Sequence, residues 1–164
     1  MDHRVSYKVY YEDTDCLGIV YYANYLKFME RGRTEFLAAQ GKAVQDWNRD
    51  GYLIVVHALQ MTFRRTATLG DVLDVISTFT LTSRFRGRFH QRIERSGEVV
   101  VTAEVEVVCL DDDQQLVSFP AELQALGHPA PPLARRGQGA LPAITPEAGD
   151  HGVPVVYPDN RDAG

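Results

Sequence analysis

From Tyr22 to Ala39 the chain reads YANYLKFMERGRTEFLAA, and this stretch decides the fold. Tyr22, Tyr25, Leu26, Met29, Phe36 and Leu37 share one broad face at helical spacing, while Lys27, Glu30, Arg31, Thr34 and Glu35 lie largely elsewhere. The spacing predicts an amphipathic helix over 22–39. Asn24 suits a cap near its start and Gly41 a stop just beyond its end. On both sides the hydrophobic period falls to two. Val5, Tyr7, Val9 and Tyr11 alternate with polar residues before the helix. After it come Leu53, Val55, Leu59, Met61 and Phe63, then Leu73, Val75, Phe79 and Leu81. Phe85, Phe89 and Ile93 follow, and finally Val99, Val101, Ala103, Val105, Val107 and Cys109. Alternation of this kind predicts strands.

The breaks fall at Leu69–Asp71, Ser83-Arg84, Ser96–Glu98 and Asp111–Asp113, each with residues that turn the backbone. Connections this short after Gly70 require antiparallel neighbours. The expected order is one strand, one long helix and four strands. The fold class is α+β, with one long helix burying its apolar face on a curved antiparallel β-sheet whose other face is polar. Such a sheet has edges that need pairing or protection, which points to a homodimer or homotetramer.

A chain of 164 residues suits one compact domain. Seventeen Lys and Arg against 22 Asp and Glu leave a net charge of −5. That balance argues against non-specific binding to nucleic acid or anionic membranes, but not against a local basic patch for a phosphorylated ligand. Cys16 and Cys109 form no disulfide framework, the N-terminal residues are polar, and no apolar run reaches the roughly 20 residues needed to span a bilayer. The expected compartment is the cytoplasm, without stable membrane insertion. Seven of the eight prolines lie in 128–164, where Tyr157 is the only aromatic residue. So little apolar surface cannot offset ordering entropy, so the domain is expected over 1–127 and a flexible tail over 128–164.

The chemistry concentrates in Tyr10–Phe36. Glu12, Asp13 and Asp15 stand just before an apolar turn and the helix start, and Gly18 suits a close backbone approach. A helix N-terminus offers unpaired N–H groups and a partial positive charge, which an oxyanion needs. A carboxylate slightly upstream could attack an acyl carbon or activate water beside them. Acids before a helix are, however, more often caps or partners of the helix dipole.

The run EDTDCLGIVYYANYLKFMERGRTEF at 12–36 closely resembles the signature of the 4-hydroxybenzoyl-CoA thioesterase-like hotdog family, nearest its YbgC-like, Tol–Pal-associated branch. The likeness covers about residues 4–123 and includes MTFRRTATLGD at 61–71, QRIERSGEVVVTAEVEVVCLD at 91–111 and FPAEL at 119–123. It implies a hotdog fold, an active site at a dimer interface, an acyl-CoA substrate, and a possible protein partner in cell-envelope or lipid metabolism. It implies Asp15 as the catalytic carboxylate, nucleophile or general base, with Asp13 as the alternative acid. The Tyr22 amide would hold the thioester oxygen, and Gly18, Asn24 and Tyr25 would shape the substrate site. One departure stands out. The YbgC-like pattern usually has His where this chain has Tyr22, and a phenol cannot shuttle protons at neutral pH as an imidazole can. The departure keeps open a non-catalytic acyl-CoA or partner-binding scaffold. A hotdog dehydratase fits less well, for want of a suitably placed His.

Arg84, Arg86, Arg88, His90 and Arg92 share one strand face. The plain reading is a solvated sheet face; the sharper one gives Arg86 and Arg88 to the phosphates of CoA, with Arg64 and Arg65 as weaker candidates. His57, in an apolar run, is expected to be a hydrogen-bonded core residue. His3, His90, His128 and His151 show no metal-ligand spacing with each other or with the cysteines, so neither a metal nor a cofactor is expected. A neighbouring carboxylate should raise the Cys16 thiol pKa, which argues against Cys16 as a nucleophile. Trp47 and Met61 are expected to pack. A Gly-rich phosphate loop and a Ser elbow of the α/β-hydrolase type are both absent from the sequence.

Overall fold

A computed structural model describes residues 2–126. The tail expected over 128–164 lies outside the described residues. The elements run β1 (His3–Lys8), a 3-10 turn (Tyr11–Asp13), α1 (Asn24–Ala38), α2 (Val44–Arg49) and β2 (Leu53–Phe63). Then follow β3 (Val72–Leu81), β4 (Arg86–Arg95), β5 (Glu98–Leu110) and α3 (Ala121–Leu126). The five strands form one antiparallel sheet in the order β1-β3-β4-β5-β2. Two-residue turn chemistry is plain between β4 and β5. Arg95 pairs with Glu98, and Ser96 and Gly97 between them have φ of 51° and 83°. A tight hairpin needs positive φ at both central positions.

The helix α1 lies on one sheet face and buries Tyr25, Phe28, Met29, Gly32, Phe36 and Leu37. Phe36 meets Phe89 edge-on at 5.3 Å, and Phe79 packs on Phe89 at 4.8 Å. Beneath the helix, Gln91 Nε2 donates to the Met29 carbonyl (3.0 Å) and to Ser77 Oγ (2.8 Å). Its Oε1 accepts from Arg33 Nη1 at 2.9 Å. Buried polar groups in a core need partners of this kind. Gly87, Phe89, Gln91 and Ile93 face α1 along β4, so Arg86, Arg88, His90 and Arg92 stand on the opposite face.

The helix differs from the expectation in three ways. It begins at Asn24, so Tyr22 precedes it and is 61% exposed. Leu26 is also exposed, and Phe28 takes its place in the core. Leu26 lies beside the edge strand β2, where no further element among the described residues covers it; an open groove of about 530 Å³ runs there, lined by Leu26, Val56, Leu59 and Val105 among others. His57 is half-exposed rather than buried, with Nε2 3.8 Å from Glu106. The β2–β5 register slips between Val56 and Ala58, so His57 stands at an irregularity of an edge strand. The helices α2 and α3 carry no visible period in the sequence because each has only six residues. Trp47 of α2 is buried and donates to the Lys42 carbonyl at 2.8 Å.

Candidate active site at the start of α1

Between the 3-10 turn and α1 the chain folds back on itself. Thr14 bridges Val20, the Asp15 amide donates to the Ile19 carbonyl (2.9 Å), and the Gly18 amide donates to the Asp15 carbonyl (3.0 Å). Gly18 has φ +74°, and a Cβ there would meet nothing within 4 Å. The turn therefore needs glycine for its backbone angle, and no atom of the described residues crowds it. Asp15 Oδ1 accepts the Leu17 amide at 2.8 Å, which fixes the carboxylate on the turn. Its other oxygen has no hydrogen-bond partner among the described residues.

Asp13 is occupied differently. It is buried, its Oδ2 accepts the Tyr10 amide (2.8 Å), and its carbonyl accepts the Tyr21 amide (2.9 Å) and Asn24 Nδ2 (3.0 Å). Asn24 is thus no cap: the N-cap is Ala23, in helical conformation, and the Asn24 side chain ties the helix start to the acidic turn. The Tyr21 amide is spent on Asp13, but the Tyr22 and Ala23 amides have no acceptor among the described residues. These are orphan donors at the positive end of a helix dipole. Tyr21 lies in the field of Asp15: its phenol is held above the ordinary value, chiefly by the neighbouring Tyr22 hydroxyl, with desolvation and the Asp15 charge adding to it.

Tyr22, Phe63 and Tyr25 form an aromatic step beside these amides. Tyr22 meets Phe63 edge-on at 6.3 Å, and Phe63 lies 5.9 Å from Tyr25. Tyr25 is buried, and burial raises its phenol pKa. Its hydroxyl accepts the Ala67 amide at 3.2 Å. Sequence reasoning gave Tyr25 to the substrate; the structure gives it this tie to the loop after β2. The Ala67 carbonyl in turn accepts the Val20 amide at 2.8 Å. The loop is clamped by Asp71, whose Oδ2 accepts the Thr68 amide (2.8 Å) and Arg95 Nη1 (3.0 Å).

Burial alone would raise the Asp71 carboxyl pKa, but the Thr68 amide and Arg95 outweigh it and hold it below 3.8. A carboxyl depressed by folding stabilises the protein above the unfolded pKa, and that contribution fades as pH falls through the folded value. Asp71→Asn is therefore expected to lower Tm most near neutrality, with the gap to the native chain closing below about pH 4. Melting curves across pH 3–7 check this, and a gap constant with pH counts against the charge of Asp71.

The structure does not bring Arg86 and Arg88 to this site. They stand on the sheet face away from α1, where Arg86 pairs with Glu106 and Arg88 lies 3.5 Å from Glu104 and 3.7 Å from Glu106. Sequence reasoning missed Phe63 as a neighbour of Tyr22, since no local spacing signals so distant a contact.

The model of the thioesterase-like superfamily matches residues 9–126, which carry the acidic turn, α1 and four of the five strands. The chain belongs to the thioesterase-like superfamily. Within that superfamily it is 37% identical over 132 residues to an acyl-CoA thioesterase YbgC of Haemophilus influenzae, covering 78% of this chain and 97% of the relative. It is 36% identical over 109 residues to an acyl-CoA thioester hydrolase YbgC of Escherichia coli O6:H1, covering 66% and 81%. A solved probable thioesterase from Bartonella henselae superposes with a TM-score of 0.70 at 30% identity, covering 73% of this chain and all of that one. As a thioesterase-like chain it has the hotdog architecture expected from its sequence. No helix among the described residues is long and apolar enough to cross a membrane.

Proposed function

We propose that the protein hydrolyses acyl-CoA thioesters, with Asp15 as the reacting carboxylate and the Tyr22 amide, joined by that of Ala23, as the oxyanion donors. The observation that carries this reading is that, among the described residues, a turn-held carboxylate with one uncommitted oxygen stands just before a helix start with two amides lacking acceptors. As general base, Asp15 takes a proton from water while the water oxygen bonds to the acyl carbon. The carbonyl oxygen becomes an oxyanion facing the amides; collapse breaks the C–S bond, and the CoA thiolate leaves and takes up a proton. As nucleophile, Asp15 bonds to the acyl carbon, the C–S bond breaks and the CoA thiolate leaves, and water then cleaves the mixed anhydride to free the acid and the Asp15 carboxylate, its released proton going to the thiolate. Both routes use the same groups, and preorganised amides serve the developing charge in both.

A second copy of the chain completes the site in this reading. The strand β2 is an edge of 11 residues that exposes Val55, Val56, Leu59 and Phe63. A long, apolar, unpaired edge favours strand addition from an identical chain. The partner would roof the groove between α1 and β2, which suits an acyl group. Cys16 is exposed and unpaired, and burial pushes the Cys109 thiol up to about 11. Two free thiols suit a reducing compartment, the cytoplasm.

The test is release of free CoA from aromatic, short aliphatic and long aliphatic thioesters. At least one class is expected to turn over at about 1 s⁻¹ or faster. Binding of every class with no release above the buffer rate would leave only the scaffold reading.

A further inference from the structure

Cleavage of a C–S bond leaves a thiolate that needs a proton. The described histidines lie away from the start of α1. His3 packs on Phe36, about three turns along the helix from Asn24. His57 and His90 stand beside Glu106 and Glu104, at 3.8 and 3.5 Å. What the helix start does hold is two adjacent tyrosines, Tyr21 and Tyr22, both exposed.

The small hairpin that carries Asp15 also places Tyr21. Thr14 bridges Val20, and the Asp15 and Tyr21 amides donate to the Ile19 and Asp13 carbonyls, each at 2.9 Å. These are the bonds of a regular antiparallel rung. Residues flanking the Thr14–Val20 pair point to the opposite face from it, so Asp15 and Tyr21 share a face as diagonal neighbours. Diagonal neighbours lie about 7–8 Å apart, within reach of an aromatic side chain.

The contacts continue from Tyr21. Its ring lies 4.8 Å from that of Tyr22, which meets Phe63 edge-on at 6.3 Å. The Tyr21 phenol is held above its ordinary value, chiefly by the Tyr22 hydroxyl, then by desolvation and the Asp15 charge, so it stays protonated at neutral pH. Two neutral phenols thus stand between the Asp15 carboxylate and the aromatic step beside the Tyr22 and Ala23 amides.

We propose that the Tyr21 and Tyr22 hydroxyls relay to the departing thiolate the proton that Asp15 takes from water. This rests on the thioesterase reading, with Asp15 as general base. As the C–S bond breaks, its electron pair goes to sulfur, and Tyr22 gives sulfur a proton. Tyr21 gives its proton to the Tyr22 oxygen, and the protonated Asp15 gives its own to the Tyr21 oxygen. Both tyrosines end neutral and Asp15 ends ionised, ready for the next water. A lone phenol with a pKa near ~10 is a poor proton carrier at neutral pH. A hydroxyl set between a carboxylic acid and a thiolate need not ionise, since it receives one proton as it passes on another.

The experiment measures kcat in the full chain for one acyl group carried on CoA and on a thiophenol, whose thiolate leaves without needing a proton. Tyr22→Phe keeps the ring and the backbone amide and removes only the hydroxyl. It is expected to lower kcat roughly 10²-fold on the CoA thioester and far less on the thiophenyl ester. Tyr21→Phe should show the same selectivity. Because either change breaks the one relay, the double variant should lose no more than a single one. Equal falls on the two esters overturn the proposal, as do undiminished turnover of the CoA thioester and falls that multiply in the double variant. A native chain that cleaves neither ester overturns the thioesterase reading and the relay with it. A native chain that cleaves both, with equal falls in the variants, overturns the relay alone.

Discussion

Asp15→Asn is expected to fold like the native chain and to lose roughly 10²–10⁴ in turnover, the range that a positioned acid–base group supplies. The substitution keeps the shape of the side chain. An amide oxygen can still accept the Leu17 amide, so the turn survives. What disappears is the negative charge and basicity of the second oxygen, and neither a proton-abstraction nor a nucleophilic route runs without them. Asp13 gives the opposite pattern. Its carboxylate is buried and holds the Tyr10 amide, while its carbonyl anchors Tyr21 and Asn24. Asp13→Ala removes a buried carboxylate and leaves the partly buried Tyr10 amide without its acceptor, and it is expected to cost about 1–3 kcal/mol of stability. Its turnover, measured well below its melting point, should fall less than that of Asp15→Asn. Native turnover in Asp15→Asn, together with a well-folded but inactive Asp13 variant, would move the chemistry to Asp13.

The strands and α1 are legible in the sequence because their periods differ and each run is long enough to display its own. Phe28 shows the limit. It sits in the same apolar helix as Leu26, and only the position of the sheet decides that Phe28 is buried and Leu26 left over the open edge. The acidic turn is legible as chemistry, but the different commitments of the two carboxylates, Asp13 on the Tyr10 amide and Asp15 on the Leu17 amide, are hydrogen bonds that spacing does not encode. The strand face of Arg86 and Arg88 follows from alternation. That it lies opposite α1, with Glu104 and Glu106 taking the charges, requires the neighbouring strand.

The position of the Tyr22 and Ala23 amides, the proposed oxyanion donors, depends on how closely α1 can approach the sheet, and Gly32 sets that distance. In an exposed helix, Gly→Ala would stabilise by about 1 kcal/mol. Here a Cβ on Gly32 would lie 2.5 Å from Val75 Cγ1 and 3.4 Å from Gln91 Nε2 and Ser77 Oγ. Val75 is fully buried in β3, which is paired on both sides, so it has no space to retreat into. The helix must lift instead. Overpacking of this kind costs about 1–3 kcal/mol and outweighs the propensity gain for Ala. Gly32→Val adds bulk and a β-branched residue, and lifting the helix pulls the Met29 carbonyl off Gln91, leaving buried polar groups short of a partner. Gly32→Ala should therefore melt slightly below the native chain. Gly32→Val should lose about 3 kcal/mol or more, roughly 10 °C in Tm. Activity should fall with it even at low temperature, because Tyr22 and Ala23 move with the helix while Asp15 stays on its turn. Native melting and native turnover in Gly32→Val would show that α1 has slack against β3, and the close approach would then set neither stability nor the site.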